Sequence, residues 1–507
     1  MPRLPTRADA HEWTPANLRE SMKIAIVAAE ISPWAKVGGL ADVIGALPAA
    51  FRQAGAEPAV ILPGYSAILS NLSAKQVGTL MTVHVGVDTH QFRVLQTRDA
   101  EGVPLYLIDH PGFFARDGVY GEHGSDYPDN LRRFIFFGKA AAATIADLVR
   151  PDVVHAHDWH AAVAPIVLRA DPDLHQRTRG AIVAYTVHNL AFQGIYDVGD
   201  FPLLGIDWSY FAMEYLEFYG RMNLMKGAAV LADGVSTVSP TYAHEVASDP
   251  ERGFGLEGVL RHKGDRFVGI LNGADYREWD PQGDSLIAAK YGPKHLAGKR
   301  LCNLDLRSSL RLAERACPLI GMITRMTAQK GCDLLRDALE GLMALDLQLI
   351  MLASGDPPLE QFFRAAEKRF SENLRVLTRF DNAAAHRIQA GADALLMPSR
   401  FEPCGLTQMY ALRYGTTPIV RATGGLRDTV AEFDRSSGSG NGFVFEEYST
   451  HALIGAVQRM KAAFVDSRGW RRVMQNCFAA DFSWDRAARD YLTWFERLEG
   501  QHATRGA

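Results

Sequence analysis

Two short segments, one in each half of the chain, carry residue types that could bind a phosphate. Lys36–Leu40 reads K-V-G-G-L, and Ser399–Thr407 reads S-R-F-E-P-C-G-L-T. Each follows an apolar run and has the pattern of a strand, a tight turn and a helix. In that geometry backbone N–H groups and a helix N-terminus face a phosphate. Two such turns on separate α/β units predict a cleft between domains that closes on a phosphorylated donor.

The first segment combines a cation with paired glycines. Lys36 would supply charge for a phosphate, while Gly38 and Gly39 would let a ligand approach the backbone. A glycine pair at a turn is often only structural. Its position directly after the first strand favours ligand binding.

Two further cations lie just past a strand end in the second half. Met322–Gly331 reads M-I-T-R-M-T-A-Q-K-G, and its Arg325 and Lys330 could neutralise a diphosphate leaving group without a metal. On spacing alone, a solvated basic loop fits equally well. The chain has neither a Walker lysine motif nor a strand-following G-x-G-x-x-G, so P-loop and dinucleotide-binding interpretations lose their main support.

Glu402 stands in the second phosphate-facing turn. A carboxylate is unfavourable there unless other groups bind it, and sugar hydroxyls or positive charge developing at an anomeric carbon would do so. The alternative is an ordinary acidic residue at a helix N-terminus, where the helix dipole favours it.

The run H-A-H-D-W-H at His155–His160 has the H-x-H spacing that is frequent among metal ligands. Trp159 occupies the aspartate position of H-x-H-x-D-H hydrolases, and no second cluster completes a metal shell. We therefore expect no metal, and instead a polar edge facing a sugar, with Asp158 hydrogen-bonding. His188 and Asn189 follow the next strand and offer an imidazole and an amide, although both could be satisfied loop groups.

Short apolar runs rich in β-formers alternate with longer helical stretches, which predicts parallel sheets covered on both faces. The predicted strands of the first half are Lys23–Ala29, Ala59–Pro63, Leu105–Asp109, Val153–His157, Ile182–His188, Gly234–Val238 and Phe267–Asn272. Those of the second half are Leu319–Thr324, Gln348–Ala353, Arg375–Thr378, Ala394–Pro398, Thr417–Val420 and Phe443–Phe445. The fold class is therefore α/β, with two Rossmann-like, doubly wound domains facing each other across a cleft and ligands at the carboxyl ends of their strands.

The pattern divides the chain into four parts. Residues 1–21 lack an apolar signal-peptide core, and we expect a disordered extension or a natural start at Met22. Residues 22–275 form the predicted N-terminal acceptor and catalytic domain, and residues 276–483 the predicted nucleotide-sugar domain. Residues 484–507 form a predicted amphipathic helix that packs back on the first domain.

Composition narrows the function classes. A chain of 507 residues exceeds the usual limit for one core. A net charge of -4, from 54 basic and 58 acidic residues, argues against a general nucleic-acid binder. No apolar run is long enough to span a bilayer, so we expect no membrane partner. Five scattered cysteines without C-x-x-C spacing indicate a reduced, cytoplasmic compartment.

Together these motifs resemble the bacterial glycogen synthases and plant starch synthases. These are the ADP-glucose-dependent α-1,4-glucosyltransferases of glycosyltransferase family 5, which have the GT-B fold. The likeness covers nearly the whole chain from Met22 to about Leu498. It rests on motifs in Lys36–Val43, Arg150–His160, Thr186–Ala191, Val238–Ala243, Leu271–Asp275, Gln329–Gly331, Pro398–Gln408, Thr423–Leu426 and Asp481–Trp484.

The resemblance implies roles for particular residues. The implied catalytic residues are Glu402, His188, Lys330 and Arg325. The implied substrate-binding residues are Lys36, Gly38, Gly39, Asp42, Asp158, Asn189, Asn272, Phe380, Cys404, Gly405, Leu406 and Thr407. Glu402 would be the essential carboxylate, Arg325 and Lys330 would bind the diphosphate, and His188 would lie against the transferred glucose.

Two positions depart from the wider pattern. Tyr410 stands where many GT-B transferases have a second glutamate, which looks like the glycogen-synthase variant. Phe380 aligns with the tyrosine expected to stack on adenine, and it lacks the hydroxyl that would help discriminate the base.

The implied activity is transfer of glucose from ADP-glucose to the non-reducing 4-hydroxyl of an α-1,4-glucan such as glycogen, with retention of configuration. The implied partners are these two substrates, and no further cofactor is expected. One alternative is a GT-B glucosyltransferase that uses UDP-glucose or another acceptor. The other is a non-catalytic glucan-binding protein.

Overall fold

The computed structural model describes residues 21–122, 124–379 and 381–506. The predicted extension at residues 1–21 therefore lies outside the described residues except for Ser21. Phe380 also lies outside them.

Fourteen strands come from the first half of the chain. They are β1 (Lys23–Val27), β2 (Glu57–Pro63), β3 (Lys75–Val85), β4 (Asp88–Arg98), β5 (Pro104–Asp109), β6 (Gly121–Glu122), β7 (Ser125–Asp126), β8 (Val153–His157), β9 (Ile182–Val187), β10 (Ile195–Asp197), β11 (Glu217–Phe218), β12 (Arg221–Asn223), β13 (Gly234–Thr237) and β14 (Phe267–Gly269). Nine of them form one sheet in the order β14-β13-β9-β8-β1-β2-β5-β4-β3. From β14 to β5 every pairing is parallel, as predicted.

The edge hairpin of this sheet, β3 and β4, is absent from the strands predicted from sequence. Both strands are antiparallel to their neighbours and alternate between exposed and buried residues. The prediction relied on continuous apolar runs, which identify strands buried on both faces. In a strand with one solvent-exposed face, polar residues alternate with apolar ones, so no continuous apolar run appears in the sequence.

The second half forms a six-stranded sheet. Its strands are β15 (Leu319–Met326), β16 (Gln348–Gly355), β17 (Leu374–Leu377), β18 (Ala394–Met397), β19 (Thr417–Arg421) and β20 (Phe443–Phe445). Their order is β17-β16-β15-β18-β19-β20, and all pairings are parallel. Two mainly parallel sheets therefore confirm the predicted α/β class.

Helices cover both sheets. The helices between β1 and β14 are α1 (Gly39–Gln53), α2 (Ser66–Leu69), α3 (Pro111–Phe114), α4 (Asn130–Thr144), α5 (Asp158–Ala161), α6 (Val163–Ala170), α7 (Pro172–Arg177), α8 (Leu224–Leu231), α9 (Pro240–Ser248), α10 (Pro250–Gly253) and α11 (Glu257–Lys263). Those that follow are α12 (Ala297–Ser309), α13 (Cys332–Met343), α14 (Pro357–Arg369), α15 (Asn382–Gly391), α16 (Thr407–Arg413), α17 (Gly424–Thr429), α18 (Thr450–Val465), α19 (Ser467–Ala479) and α20 (Trp484–Gly506). We call the elements β1 to β14 the first lobe, and α12 to α19 with the second sheet the second lobe.

The last helix, α20, returns to the first lobe. Tyr491, Trp494 and Phe495 are buried in the core of that lobe. The ring of Phe51 on α1 lies 6.1 Å from that of Tyr491 and 6.0 Å from that of Phe495. The apolar stripe of an amphipathic helix is thus covered by a segment more than 400 residues away in the chain.

Each sheet has a point where the strand order reverses. In the first sheet β1 lies between β8 and β2, and in the second β15 lies between β16 and β18. Ligands of open α/β sheets bind outside the carboxyl ends of the strands at such points. The segments after β1, β8, β15 and β18 carry many of the predicted site residues, while His188 and Asn189 follow β9 and Asn272 follows β14.

Helix α9 of the first lobe packs against α17 of the second. Ser239 Oγ donates a 2.7 Å hydrogen bond to the carbonyl oxygen of Pro403, and Thr241 Oγ1 donates one of 2.6 Å to Asp428. Glu245 accepts a hydrogen bond of 3.2 Å from the backbone N–H of Gly424. Polar contacts therefore join the two lobes at this interface.

Within the described residues, every helix is too short or too polar to cross a bilayer.

The packing of α20 can be tested by truncating one buried ring. Phe495→Ala should destabilise the first lobe by about 3–5 kcal/mol, because it removes a fully buried aromatic side chain and leaves a cavity. Thermal unfolding measures the effect, with Arg497→Ala on the exposed face of α20 as the control. Equal transition temperatures for the two variants would contradict this packing.

Candidate active site

The loop after β1 presents one cation and two glycines. Lys36 Nζ lies 2.6 Å from Asp42 Oδ1, so Asp42 holds the lysine of this loop. Space is open around Gly38 and Gly39, since a Cβ added at either would meet no atom within 4 Å. Internal packing therefore does not require glycine at these positions. A ligand that approaches the backbone closely would require glycine there.

Glu30, which is absent from the residues predicted from sequence, fixes the backbone of this loop. Its Oε2 accepts hydrogen bonds of 2.8 Å from the N–H groups of both Val37 and Gly38, and its Oε1 accepts one of 2.7 Å from the Tyr120 hydroxyl. Glu30 is 5% exposed. The expectation that these amides face a phosphate is therefore corrected for Val37 and Gly38. The available signal was an isolated acid in the apolar stretch A-A-E-I after β1.

A pocket of about 480 Å³ opens beside this loop. Its lining includes Trp34, Lys36, Tyr65, Arg116 and Tyr120. Its lining thus combines aromatic rings with several charged and polar groups, a composition that suits a polar ligand.

Asp158 follows β8 with its backbone in the left-handed region, at φ 56°. Its Oδ1 accepts a 2.7 Å hydrogen bond from the backbone N–H of His188. Burial raises the pKa of this carboxyl to about 7. The carboxyl ends of β8 and β9 are thus tied together by one side chain.

Two histidines meet beneath this edge. His157 Nδ1 and His188 Nε2 are 3.0 Å apart, and burial lowers the pKa of His188 to about 3 and that of His157 well below its usual range. Both imidazoles are therefore neutral. His157 Nε2 is buried without a partner in the part of the chain that the structure describes. Because an orphaned N–H is the rarer case in proteins, we expect His157 to donate through Nδ1.

The other histidines of the H-x-H run have partners of their own. His155 Nε2 lies 2.6 Å from Thr186 Oγ1, and the ring of His160 stacks on Tyr120 at 4.2 Å. Among residues 21–122, 124–379 and 381–506, no three His, Cys, Asp or Glu side chains gather closely enough to hold a metal ion.

Glu402 and Lys330 form a buried ion pair in the second lobe. Lys330 Nζ lies 2.7 Å from both carboxylate oxygens of Glu402, and Ser399 Oγ donates a 3.0 Å hydrogen bond to Oε2. The side chains of Lys330 and Glu402 are 18% and 5% exposed. The interpretation of this segment as a solvated basic loop is therefore wrong for Lys330. Its ammonium group binds the carboxylate of Glu402.

Arg325, at the carboxyl end of β15, is exposed. No ion pair or side-chain hydrogen bond engages its guanidinium among the described residues. It is thus available to an anionic ligand at the same strand end as Lys330.

The turn after β18 packs against the first lobe. Gly405 has φ +74°, and a Cβ there would lie 2.4 Å from Gln408 Oε1, so glycine is required for both conformation and space. Cys404 is buried in an apolar cluster with Leu406 and with first-lobe residues, and burial raises the pKa of its thiol to about 12. Thr407 begins α16.

Two predicted amides lie on the first-lobe side. Asn272 is 6% exposed, and its Oδ1 is buried without a hydrogen-bond partner in the described part of the chain. A buried amide oxygen without a partner is costly, and a ligand hydroxyl could satisfy it. Asn189 is half-buried, and its Oδ1 accepts from the backbone N–H of Ala191 at 3.0 Å.

Tyr410 has a structural role in place of a second carboxylate. Its ring stacks on Trp279 at 4.4 Å, and the opposite face of Trp279 stacks on His386 at 3.8 Å. Burial opposes protonation of His386, but contacts with Glu278 and Asp284 outweigh it and raise its pKa. This stack joins the segment between the lobes to α15 and α16.

The structure thus brings predicted residues together in three pairs. Asp158 and His188 meet at the edge of the first sheet, and Lys330 and Glu402 at the edge of the second. Asn272 and Cys404 lie together where the lobes touch. No hydrogen bond joins Lys36 to Lys330 or Glu402 within the described residues, and Phe380 lies outside them. Such an arrangement of cations, amides and one carboxylate suits stabilisation of a departing phosphate and a charged sugar.

Both lobes match known protein families. A profile described as the starch synthase catalytic domain matches residues 23–262, and one for glycosyl transferases group 1 matches residues 312–463. Glycogen synthase of Anaeromyxobacter sp. (strain Fw109-5) is 43% identical over 480 residues, covering 94% of this chain and 99% of that protein. Glycogen synthase 2 of Geobacter metallireducens is 43% identical over 473 residues, with 93% and 97% coverage.

A solved structure has the same fold over most of this chain. The catalytic domain of starch synthase IV from Arabidopsis thaliana, bound to ADP and acarbose, has a TM-score of 0.86 and 33% identity. The alignment covers 95% of this chain and 100% of that one.

The raised pKa of Asp158 predicts a pH-dependent stability. In the unfolded chain an aspartate has a pKa of about 3.9, against about 7 in the fold. Between these two pH values the folded state therefore binds more protons than the unfolded chain does. This contribution to stability is full below the unfolded pKa and is lost as the pH rises through about 7.

Asp158→Asn, which cannot ionise but can still accept from His188, should remove this part of the pH dependence. Urea unfolding of both proteins at about pH 5 and about pH 8 measures it. The same loss of stability in wild type and variant would show that burial does not hold the proton on Asp158.

Proposed function

The chain belongs to the family of bacterial glycogen synthases and starch synthases, and from this premise we propose how its residues carry out the reaction. It is a glucosyltransferase of the GT-B fold. We assign ADP-glucose as the donor and the non-reducing 4-hydroxyl of an α-1,4-glucan as the acceptor, with retention of configuration. The observation that carries this assignment is the buried Glu402 carboxylate, held by Lys330 beside the exposed Arg325.

The cations act on the leaving group. Arg325 is ready to bind a diphosphate oxygen, and Lys330 lies one short turn further along the chain. Lys36 would approach from the first lobe. Fixed positive charges in a closed, water-poor cleft stabilise the ADP that departs, and this scheme needs no metal ion or other cofactor.

Glu402 acts on the sugar. Lys330 and Ser399 hold its carboxylate in one position, so that it can orient the glucose and support positive charge at the anomeric carbon. Neutral His188 and the unpaired amide oxygen of Asn272 supply hydrogen-bonding groups from the first lobe. Positioning of this kind lowers a barrier because the groups are already oriented before reaction.

We propose a front-side route, in which the leaving phosphate oxygen takes the proton of the incoming hydroxyl. A two-step route would need a carboxylate nucleophile next to His188, and Asp158 is the candidate there. Its Oδ1 is engaged by the His188 backbone, so we assign Asp158 to positioning. Closure of the lobes would exclude water, which would otherwise hydrolyse the donor.

A cytoplasmic location is part of this proposal, supported by five cysteines that are all free and buried. The two remaining alternatives are a transferase that prefers UDP-glucose and a protein that only binds glucan.

Incorporation of labelled glucose into glycogen tests the function, with ADP-glucose and UDP-glucose compared. We expect strong incorporation from ADP-glucose, and a loss of about 10²–10³-fold or more in kcat for Glu402→Ala, because a preorganised charge is removed. ADP affinity should survive, as calorimetry would report. Near-normal turnover would refute the role of Glu402, while a UDP preference would refute the donor. No transfer from either donor would favour the glucan-binding alternative.

Arg325→Ala tests the diphosphate contact. It should weaken ADP binding about tenfold or more, since a charge-assisted hydrogen bond is lost. Stability should hold because Arg325 is exposed. Lys330→Ala is the contrasting variant: it also leaves Glu402 as an unpaired buried charge, at a cost of about 3–5 kcal/mol. Unchanged ADP affinity in Arg325→Ala, measured by calorimetry, would exclude the contact.

A further inference from the structure

His157 is fully buried at the end of β8, and its imidazole contacts the ring of His188. His157 Nδ1 lies 3.0 Å from His188 Nε2, and this is the only hydrogen bond that the His188 ring makes within residues 21–122, 124–379 and 381–506. The backbone of His188 is held separately, since its N–H donates to Asp158 Oδ1. The direction in which the His188 ring points therefore depends on His157.

His157 belongs to a polar layer inside the core of the first lobe. Its ring centre lies 4.1 Å from that of His155, which precedes it by two residues and so shares its face of the sheet. His155 Nε2 is 2.6 Å from Thr186 Oγ1, which is 2.6 Å from Ser236 Oγ. All four side chains are fully buried. Buried polar groups are costly unless they are hydrogen-bonded, and apolar residues would fill this space without that cost. The layer therefore needs a reason beyond packing.

The partners of each nitrogen determine where the ring protons lie. Burial lowers the pKa of both His157 and His188, so each ring is neutral and has one N–H and one bare nitrogen. His157 Nε2 is buried without a partner in the described part of the chain, and an unpartnered N–H is the rarer case. The proton of His157 is therefore on Nδ1, which donates to His188 Nε2. The single ring proton of His188 is then on its own Nδ1.

We propose that His157 is a positioning residue for glucosyl transfer, because its Nδ1–H holds the His188 ring in one orientation and one tautomer. This inference rests on the proposed function and deepens it. His188 is half-buried and its Nδ1 bonds to none of the described residues, so this N–H can donate to an oxygen of the bound sugar. In the other tautomer a bare nitrogen would stand there and could only accept. A donor that is fixed before the ligand arrives needs no reorganisation during the reaction.

A nearly isosteric pair of variants separates the hydrogen bond from the packing. His157→Asn places an amide N–H where Nδ1–H was, whereas His157→Leu has a similar shape and no donor. Both lose the same part of the ring, so thermal unfolding should show similar destabilisation. His157→Leu should lose about 10–100-fold in kcat, as for other groups that orient a histidine through its second nitrogen, while His157→Asn should keep most of the rate. ADP affinity, measured by calorimetry, should not change in either variant because ADP lacks the transferred glucose.

The tautomer can be measured without catalysis by ¹⁵N NMR of protein labelled at histidine, with His188→Asn to assign the signals. Wild type should show His188 with its proton on Nδ1, and His157→Leu should show both tautomers. If these spectra were found but wild type transferred no glucose, the proposed function would fail while the hold of His157 on His188 stood. A protonated His188 Nε2 in wild type would overturn the inference. Equal kcat in His157→Asn and His157→Leu, or a loss of ADP affinity that parallels the loss of kcat, would also overturn it, because His157 would then have a structural role only.

Discussion

The buried carboxylate of Glu402 imposes the strongest physical requirement on this protein. A carboxylate so removed from water is costly unless a cation and hydrogen-bond donors surround it. Lys330 and Ser399 meet that requirement, and they come from the ends of two strands that pair at the centre of the second sheet. The order of the strands therefore determines whether the charged centre can exist. Without β15 beside β18, Glu402 would face the lobe interface unpaired.

A comparable constraint shapes the first lobe. Glu30 is held in the interior by two backbone N–H groups and one hydroxyl, and in return it gives the Lys36 loop a single conformation. Carboxylates thus organise both halves of the cleft, one as a support for a cationic loop and one as a group aimed at the substrate. In each case short hydrogen bonds satisfy both oxygens of the carboxylate, and this is what permits a buried charge.

Between these two edges the lobes meet through polar contacts and one small apolar cluster around Cys404. The bonds from α9 to α17 and the aromatic stack on Trp279 link them without a large apolar core. Such an interface can open to admit a donor and close to exclude water.

The sequence by itself determined the elements and the positions of most site residues. Continuous apolar runs identified thirteen strands, because a strand buried on both faces consists of consecutive apolar residues. The turns after these strands identified Lys36, Asp158, His188 and Glu402 as candidate site residues. It did not reveal the β3–β4 hairpin, whose wet face breaks the apolar pattern. Nor did it reveal that Glu30 binds the Lys36 loop or that Lys330 neutralises Glu402. Those are pairings of side chains, and only the tertiary structure decides them, because sequence spacing does not determine which groups the folded chain brings into contact.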